Sequence, residues 1–203
     1  SSLLANASYY LYAAAFNRAG VPTPYASLGS TLTLVKVPAV STPAFAGTSF
    51  DSLTAQWSHG GNSSGTLYNA VVSTESPLAG THAGNVFVST APASAPQALF
   101  LGLLPNTTYF HFVRSVGRDG TLRAYLLMGE RATDAAQPTA PGVPVDTVSA
   151  TGLSLSWGAA GNPLARTTYT VEASTAADFS AQGSPYRVSL DTVPAQGPMG
   201  SLS

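Results

Sequence analysis

The chain has 203 residues, 44% of them hydrophobic, with 19 Gly, 15 Pro and no Cys. That apolar fraction fills a core and excludes a disordered chain, while the lack of Cys excludes disulfides and thiolate metal sites. Only 8% of residues are charged and the net charge is −1, which argues against nucleic acid or an anionic membrane surface as partner, since each needs a basic patch.

In chain order, the opening "SSLLANASYYLYAAAFNRAG" reads as a strand running into a turn. Tyr9, Leu11 and Ala13 share one side, which leaves Tyr10 and Tyr12 on the other. Pro38 and Pro43 then make a short, stiff joint. Leu53, Ala55 and Trp57 point one way along the next clear strand, and Tyr68, Ala70 and Val72 along the one after it. Tyr109, His111, Val113 and Ser115 do the same further on, with Phe110 and Phe112 on the opposite side. Pro138, Pro141 and Pro144 form a second stiff joint, followed by "LSLSW" at 153–157 and by Tyr169. Period-2 runs separated by Gly, Pro, Asn and Ser clusters predict short antiparallel strands in an all-β sandwich. No stretch keeps a helical period, and no apolar run approaches the ~18 residues of a membrane span.

The strands recur. Trp57 and Trp157, Tyr9 and Tyr109, Leu3 and Leu103, Asn6 and Asn106, and Gly20 and Gly120 form pairs of one spacing, and "GN" appears at 61–62 and again at 161–162. Tyr68 and Tyr169 are one residue further apart, so the period is about 101 residues. In that phase residues 39–138 make one intact repeat. Residues 139–203 supply the first two-thirds of another, and residues 1–38 the last third of one.

These residues resemble the fibronectin type III domain, an immunoglobulin-like sandwich: a Trp on the second strand, a Tyr on the third, and Leu-x-Pro-x-Thr-x-Tyr before the sixth. Leu103, Pro105, Thr107 and Tyr109 fit that last motif at every position, whereas Leu3, Ala5, Ala7 and Tyr9 keep only its ends. The resemblance implies a core built on Trp57, Trp157, Tyr68, Tyr169, Tyr9, Tyr109, Leu3 and Leu103. It also makes each of Tyr9 and Tyr109 a corner residue whose hydroxyl bonds to nearby backbone, and "AFNRAG" at 15–20 the turn between the last two strands.

Three arrangements compete for the split repeat. In such a sandwich the first and last strands leave from opposite poles, about 30–35 Å apart. Closing 139–203 onto 1–38 of the same chain would bridge a gap on the order of 60 Å with a few linker residues, so self-closure is rejected. Completion by another copy, head to tail, is heterologous and gives an open filament unless it closes into a ring. Alternatively the chain is a slice of a longer covalent array: reading "PMGSLS" into "SSLLANASYY" reproduces "PQALFLGLLPNTTYF" with about one residue of slack, and this is the favoured arrangement. Either way the expected partners are copies of the same module, strung in a line with an axial rise of about 70 Å per 203 residues.

Little chemistry is written into the chain. Its nine acids and three histidines are too thinly spread to suggest a cluster, and no nucleophile elbow, phosphate loop or calcium loop is present. No catalytic, cofactor-binding or metal residue is expected, and no cofactor. His59 reads as a loop residue at a strand end, His82 sits in a Gly-rich loop, and His111, whose counterpart is Leu11, reads as a packing residue. Gly117-Arg118-Asp119-Gly120 is explained by a plain turn. Asn6, Asn62 and Asn106 each begin an N-glycosylation sequon, and glycans would solubilise a charge-poor surface. Tyr10, Tyr12, Phe110 and Phe112 form a candidate contact patch between neighbouring strings. The expected function is a non-catalytic structural array, extracellular or on the cell surface, forming a filament or stalk. The alternatives are spacer modules of a secreted polysaccharide-degrading enzyme, or an adhesin that binds carbohydrate or a host protein.

Overall fold

The structure is a computed structural model, and it describes residues 2–78, 86–88, 94–174, 187–192 and 199–202. Among these there is no helix. The protein is all-β, as the period-2 pattern requires.

The strands fall into two compact units. The first comprises Ser1–Gly47, Leu53–Phe100 and Tyr109–Arg131, and the second Thr48–Ser52, Leu101–Thr108 and Ala132–Ser203. Within the first, β1 (Ser8–Ala13) and β2 (Ala26–Leu32) form an antiparallel hairpin in register from Ser8↔Leu32 to Ala13↔Ala26, with a bulge between Leu11 and Tyr12. Among the described residues these two strands pair only with each other.

The sandwich follows. One sheet runs β3 (Ala39–Thr48), β4 (Ser52–Ser58), β7 (Gln97–Leu101). The other runs β6 (Val86–Val88), β5 (Leu67–Ser73), β8 (Thr108–Val116), β9 (Leu126–Ala132). Strand β5 is antiparallel to β8, with Tyr68 opposite Ser115, Ala70 opposite Val113 and Val72 opposite His111. The expected alternation places these residues inward, and all six are buried. Leu53, Ala55 and Trp57 line the facing sheet and are also buried. Trp57 meets the Tyr68 ring edge-on, with centroids 5.7 Å apart, a pairing that adds about 0.5–1.5 kcal/mol beyond the buried area.

In the second unit β10 (Val145–Val148), β11 (Leu153–Ser156) and β14 (Met199–Leu202) form one antiparallel sheet, and β12 (Tyr169–Ser174) pairs with β13 (Arg187–Thr192). Trp157 and Tyr169 repeat the edge-on contact at 5.5 Å. Tyr169 is buried, whereas Trp157 is half-buried.

One expected core residue is not in a core. Leu103 is 4% exposed, but Leu3 is 65% exposed. The reason is local: among the described residues β1 pairs with β2 alone and packs mainly on it, so the hairpin that follows Leu3 does not carry it into a core. Tyr9 is half-buried for the same reason, yet it keeps its corner bond, its hydroxyl accepting from the Leu4 N–H at 2.6 Å.

Candidate functional site: the asparagine corner

The most elaborate polar site lies where the chain turns into β1. Asn6 takes a left-handed conformation, φ 53°, which Asn tolerates better than most residues because its short amide bonds locally. The turn points the Asn6 side chain into a pocket made by residues 61–66 and the turn at 117–118, and only 1% of it stays exposed. Every polar atom there is used. The amide nitrogen donates to Thr66 Oγ1 at 3.0 Å, and the amide oxygen accepts from the Arg118 N–H at 2.8 Å. The Asn6 carbonyl accepts from Ser63 Oγ at 2.7 Å. Beside it the Ala5 N–H donates to Gly61 O and the Ser63 N–H donates to Ala5 O, at 3.2 and 2.8 Å.

The following linker is held as well. Asn62 accepts from the Lys36 N–H at 2.8 Å and donates back to the Lys36 carbonyl at 3.0 Å and to its own turn at His59 O at 2.8 Å. Ser115 Oγ donates to the Lys36 carbonyl, and Arg123 Nε to Val35 O at 2.7 Å. Val35 and Pro38 are buried. Gly60 has φ +64°, and a Cβ there would lie 2.6 Å from the Val37 carbonyl oxygen, so this turn admits only glycine.

The second unit repeats part of this construction. Asn106 has φ 45°, and its amide donates to Thr167 Oγ1 at 2.9 Å and to Arg166 O at 3.2 Å. Asn162 accepts from the Ala136 N–H and donates to the carbonyls of Ala136 and Ala159, each at 2.8 Å. Thr33 and Thr133 brace their corners identically: the hydroxyls donate to Leu4 O and Leu104 O and accept from the N–H groups of Ala7 and Thr107. The two sites differ where Pro163 replaces Ser63, which removes the hydroxyl that holds the Asn6 carbonyl.

The sequons therefore take on another meaning. A glycan is attached through the asparagine amide nitrogen, and in Asn6 and Asn62 that atom is buried and bonded to protein. In the fold both amides are held by protein. The Asn106 amide, half-buried, is bonded as well.

The four aromatics proposed as a contact patch do not share one environment. Tyr10 and Tyr12 are 73% and 59% exposed, and Phe110 is half-buried. Phe112 corrects the expectation: although on the outer side of β8, it is 4% exposed. Pro77 and Leu78 lie near it. With Ser76, Tyr125 and Leu127 they line an open groove of about 440 Å³ around it. Arg114 stacks over Tyr125, 4.6 Å from its centroid.

His59 bonds the Tyr68 hydroxyl at 3.1 Å, and burial raises the Tyr68 phenol above its ordinary value. His111 lies against Phe45 and Trp57, and burial lowers its imidazole to about 4. His82 falls outside the described residues. Among the described residues no His, Cys, Asp and Glu cluster suited to a metal occurs, and no helix is long and apolar enough to cross a membrane.

No family model matches the chain, and no curated protein matches it. Among solved structures it is similar to a two-domain fibronectin type III segment of chicken tenascin, at 12% identity and a TM-score of 0.48 over 82% of each chain. It is also similar to the FN1–FN3 domains of chicken CNTN1, at 14% identity and a TM-score of 0.35, over 96% of this chain and 66% of that one. The sheet orders β3-β4-β7 and β6-β5-β8-β9, the Trp57–Tyr68 pair and the Tyr9 corner bond settle the fold. The intact repeat folds as a two-sheet β-sandwich.

Proposed function

We propose that this chain is a non-catalytic structural array of fibronectin type III-like modules, joined head to tail in an extracellular or cell-surface filament or stalk. The observation that carries this reading is the repetition of one joint. Asn6 and Asn106 adopt the same left-handed corner, and each donates its amide to a threonine, Thr66 or Thr167. Asn62 and Asn162 each clamp the linker before their own module. A contact built twice in this way suits a string whose modules meet pole to pole, with a stiffness set by hydrogen bonds rather than by charge. The scarcity of charge supports the same reading, since it lowers the repulsion between neighbouring strings. Copies of the module, continued in one chain or completed by the next molecule, are the partners.

The test is the intact mass of the natural protein together with electron microscopy of the material that contains it. A linear particle with an axial rise of about 70 Å per pair of modules supports the array. A closed ring, or an isolated compact particle, refutes it.

A further inference from the structure

We propose that the pocket formed by residues 61–66 and the turn at 117–118 is a recognition site for an asparagine-bearing corner, so that Asn6, and Asn106 at the next joint, act as latches that fix one sandwich to the one before it. The purpose rests on the array reading above; the latch itself rests on geometry. The pocket offers one acceptor, Thr66 Oγ1, and one donor, the Arg118 N–H, at 3.0 and 2.8 Å from the two ends of one amide. The Thr66 hydroxyl proton is already given to Ser63 O at 2.8 Å, so its oxygen can only accept from the visitor. A carboxylate would therefore fail at that end and an ammonium at the other. Asparagine alone combines a donor, an acceptor, short reach and ease of φ > 0. At the second joint Thr167 repeats the acceptor end of the arrangement, its hydroxyl given to Pro163 O at 2.9 Å and its oxygen accepting from Asn106. A preceding module that lacks Asn at this corner would be tethered but not latched.

The experiment uses the 203-residue chain and amide hydrogen exchange read by NMR. The N–H groups of Ala5, Ser63 and Arg118 cross the joint, while those of β5 and β8 report the sandwich. Asn6→Gly keeps the left-handed backbone and removes the amide, and Thr66→Val keeps shape and removes the acceptor. In Asn6→Gly we expect exchange at Ala5, Ser63 and Arg118 to rise on the order of tenfold, with β5 and β8 unchanged. The double variant should exchange more slowly than the product of the two single effects predicts, because the Asn6–Thr66 bond is lost in both single variants. Unchanged protection in Asn6→Gly, or effects of the two substitutions that multiply, overturns the latch. A general loss that includes β5 and β8 also counts against it, since the pocket would then be part of the sandwich core. These outcomes are independent of the array: a natural protein that forms no string removes the proposed function and leaves the exchange result intact.

Discussion

His111 carries the sharpest prediction. It sits on the inward face of β8 with no exposed surface, its ring 5.6 Å from Phe45 and 5.8 Å from Trp57. Neither ring nitrogen has a hydrogen-bond partner among the described residues. Burial disfavours the charged imidazolium and lowers the imidazole from 6.5 to about 4. The unfolded chain thus takes up a proton near pH 6.5 that the folded protein refuses. Stability is intact above that value, declines as the pH falls towards about 4, and flattens below it. At 1.36 kcal/mol per pKa unit the full decline is about 3 kcal/mol, with about 2 kcal/mol already lost at pH 5. His111→Leu, which places here the residue found at the matching position 11, removes both the titration and the two unpaired nitrogens. It should stabilise the sandwich by about 1–3 kcal/mol at pH 7 and by more at pH 5. The assay is urea denaturation at a series of pH values, followed through Trp57 fluorescence in a Trp157→Phe background. Parallel curves for the two proteins between pH 6.5 and 4, or a destabilised variant at pH 7, would show that His111 is solvated or bonded and refute the reasoning.

Trp57→Ala should destabilise the sandwich by about 3–5 kcal/mol in denaturant titration, because the side chain is 4% exposed and packs on Tyr68. Gly60→Ala places a Cβ 2.6 Å from the Val37 carbonyl at φ +64°; by differential scanning calorimetry it should lower the melting temperature more than Gly20→Ala, where φ is similar but nothing lies within 4 Å. The double variant Tyr10→Ser/Tyr12→Ser should change stability by less than about 0.5 kcal/mol per site, since both rings are exposed, whereas Phe112→Ser should cost several times more. Expressed in a host that glycosylates, the chain should show unmodified Asn6 and Asn62 on peptide mapping, and a glycan on Asn6 would mean that the corner is open when the sugar is added.

The sandwich was legible because its signal is local. Leu53, Ala55 and Trp57 alternate with polar neighbours, and so do Tyr109, His111, Val113 and Ser115; a pleated strand turns that alternation into burial without help from distant residues. Phe112 was misplaced for the complementary reason. The alternation put it on the outer face, which is correct, but outer face was equated with solvent. It shares a groove with Pro77, Leu78, Tyr125 and Leu127, and what neighbours the outer face of a sheet has no period to read. Leu3 failed in the same manner: its pattern matches Leu103, and exposure depends on what lies above it rather than on its own strand.

The corner asparagines were visible as well, under another description. A sequon is three residues long and says nothing about partners, whereas Asn6 meets groups 60 and 112 positions away. The informative signal was recurrence of "GN" at 61–62 and 161–162. Each of those asparagines reaches back 26 residues to the linker before its module, and each module presents a threonine to the corner that precedes it. Charge is scarce in this chain, so few ion pairs are on offer to hold a joint. A buried polar residue must find hydrogen bonds or cost the fold about 1–3 kcal/mol. An uncharged polar residue that recurs at a turn, in register with the hydrophobic repeat, is therefore better read as one half of an interface than as decoration on a surface.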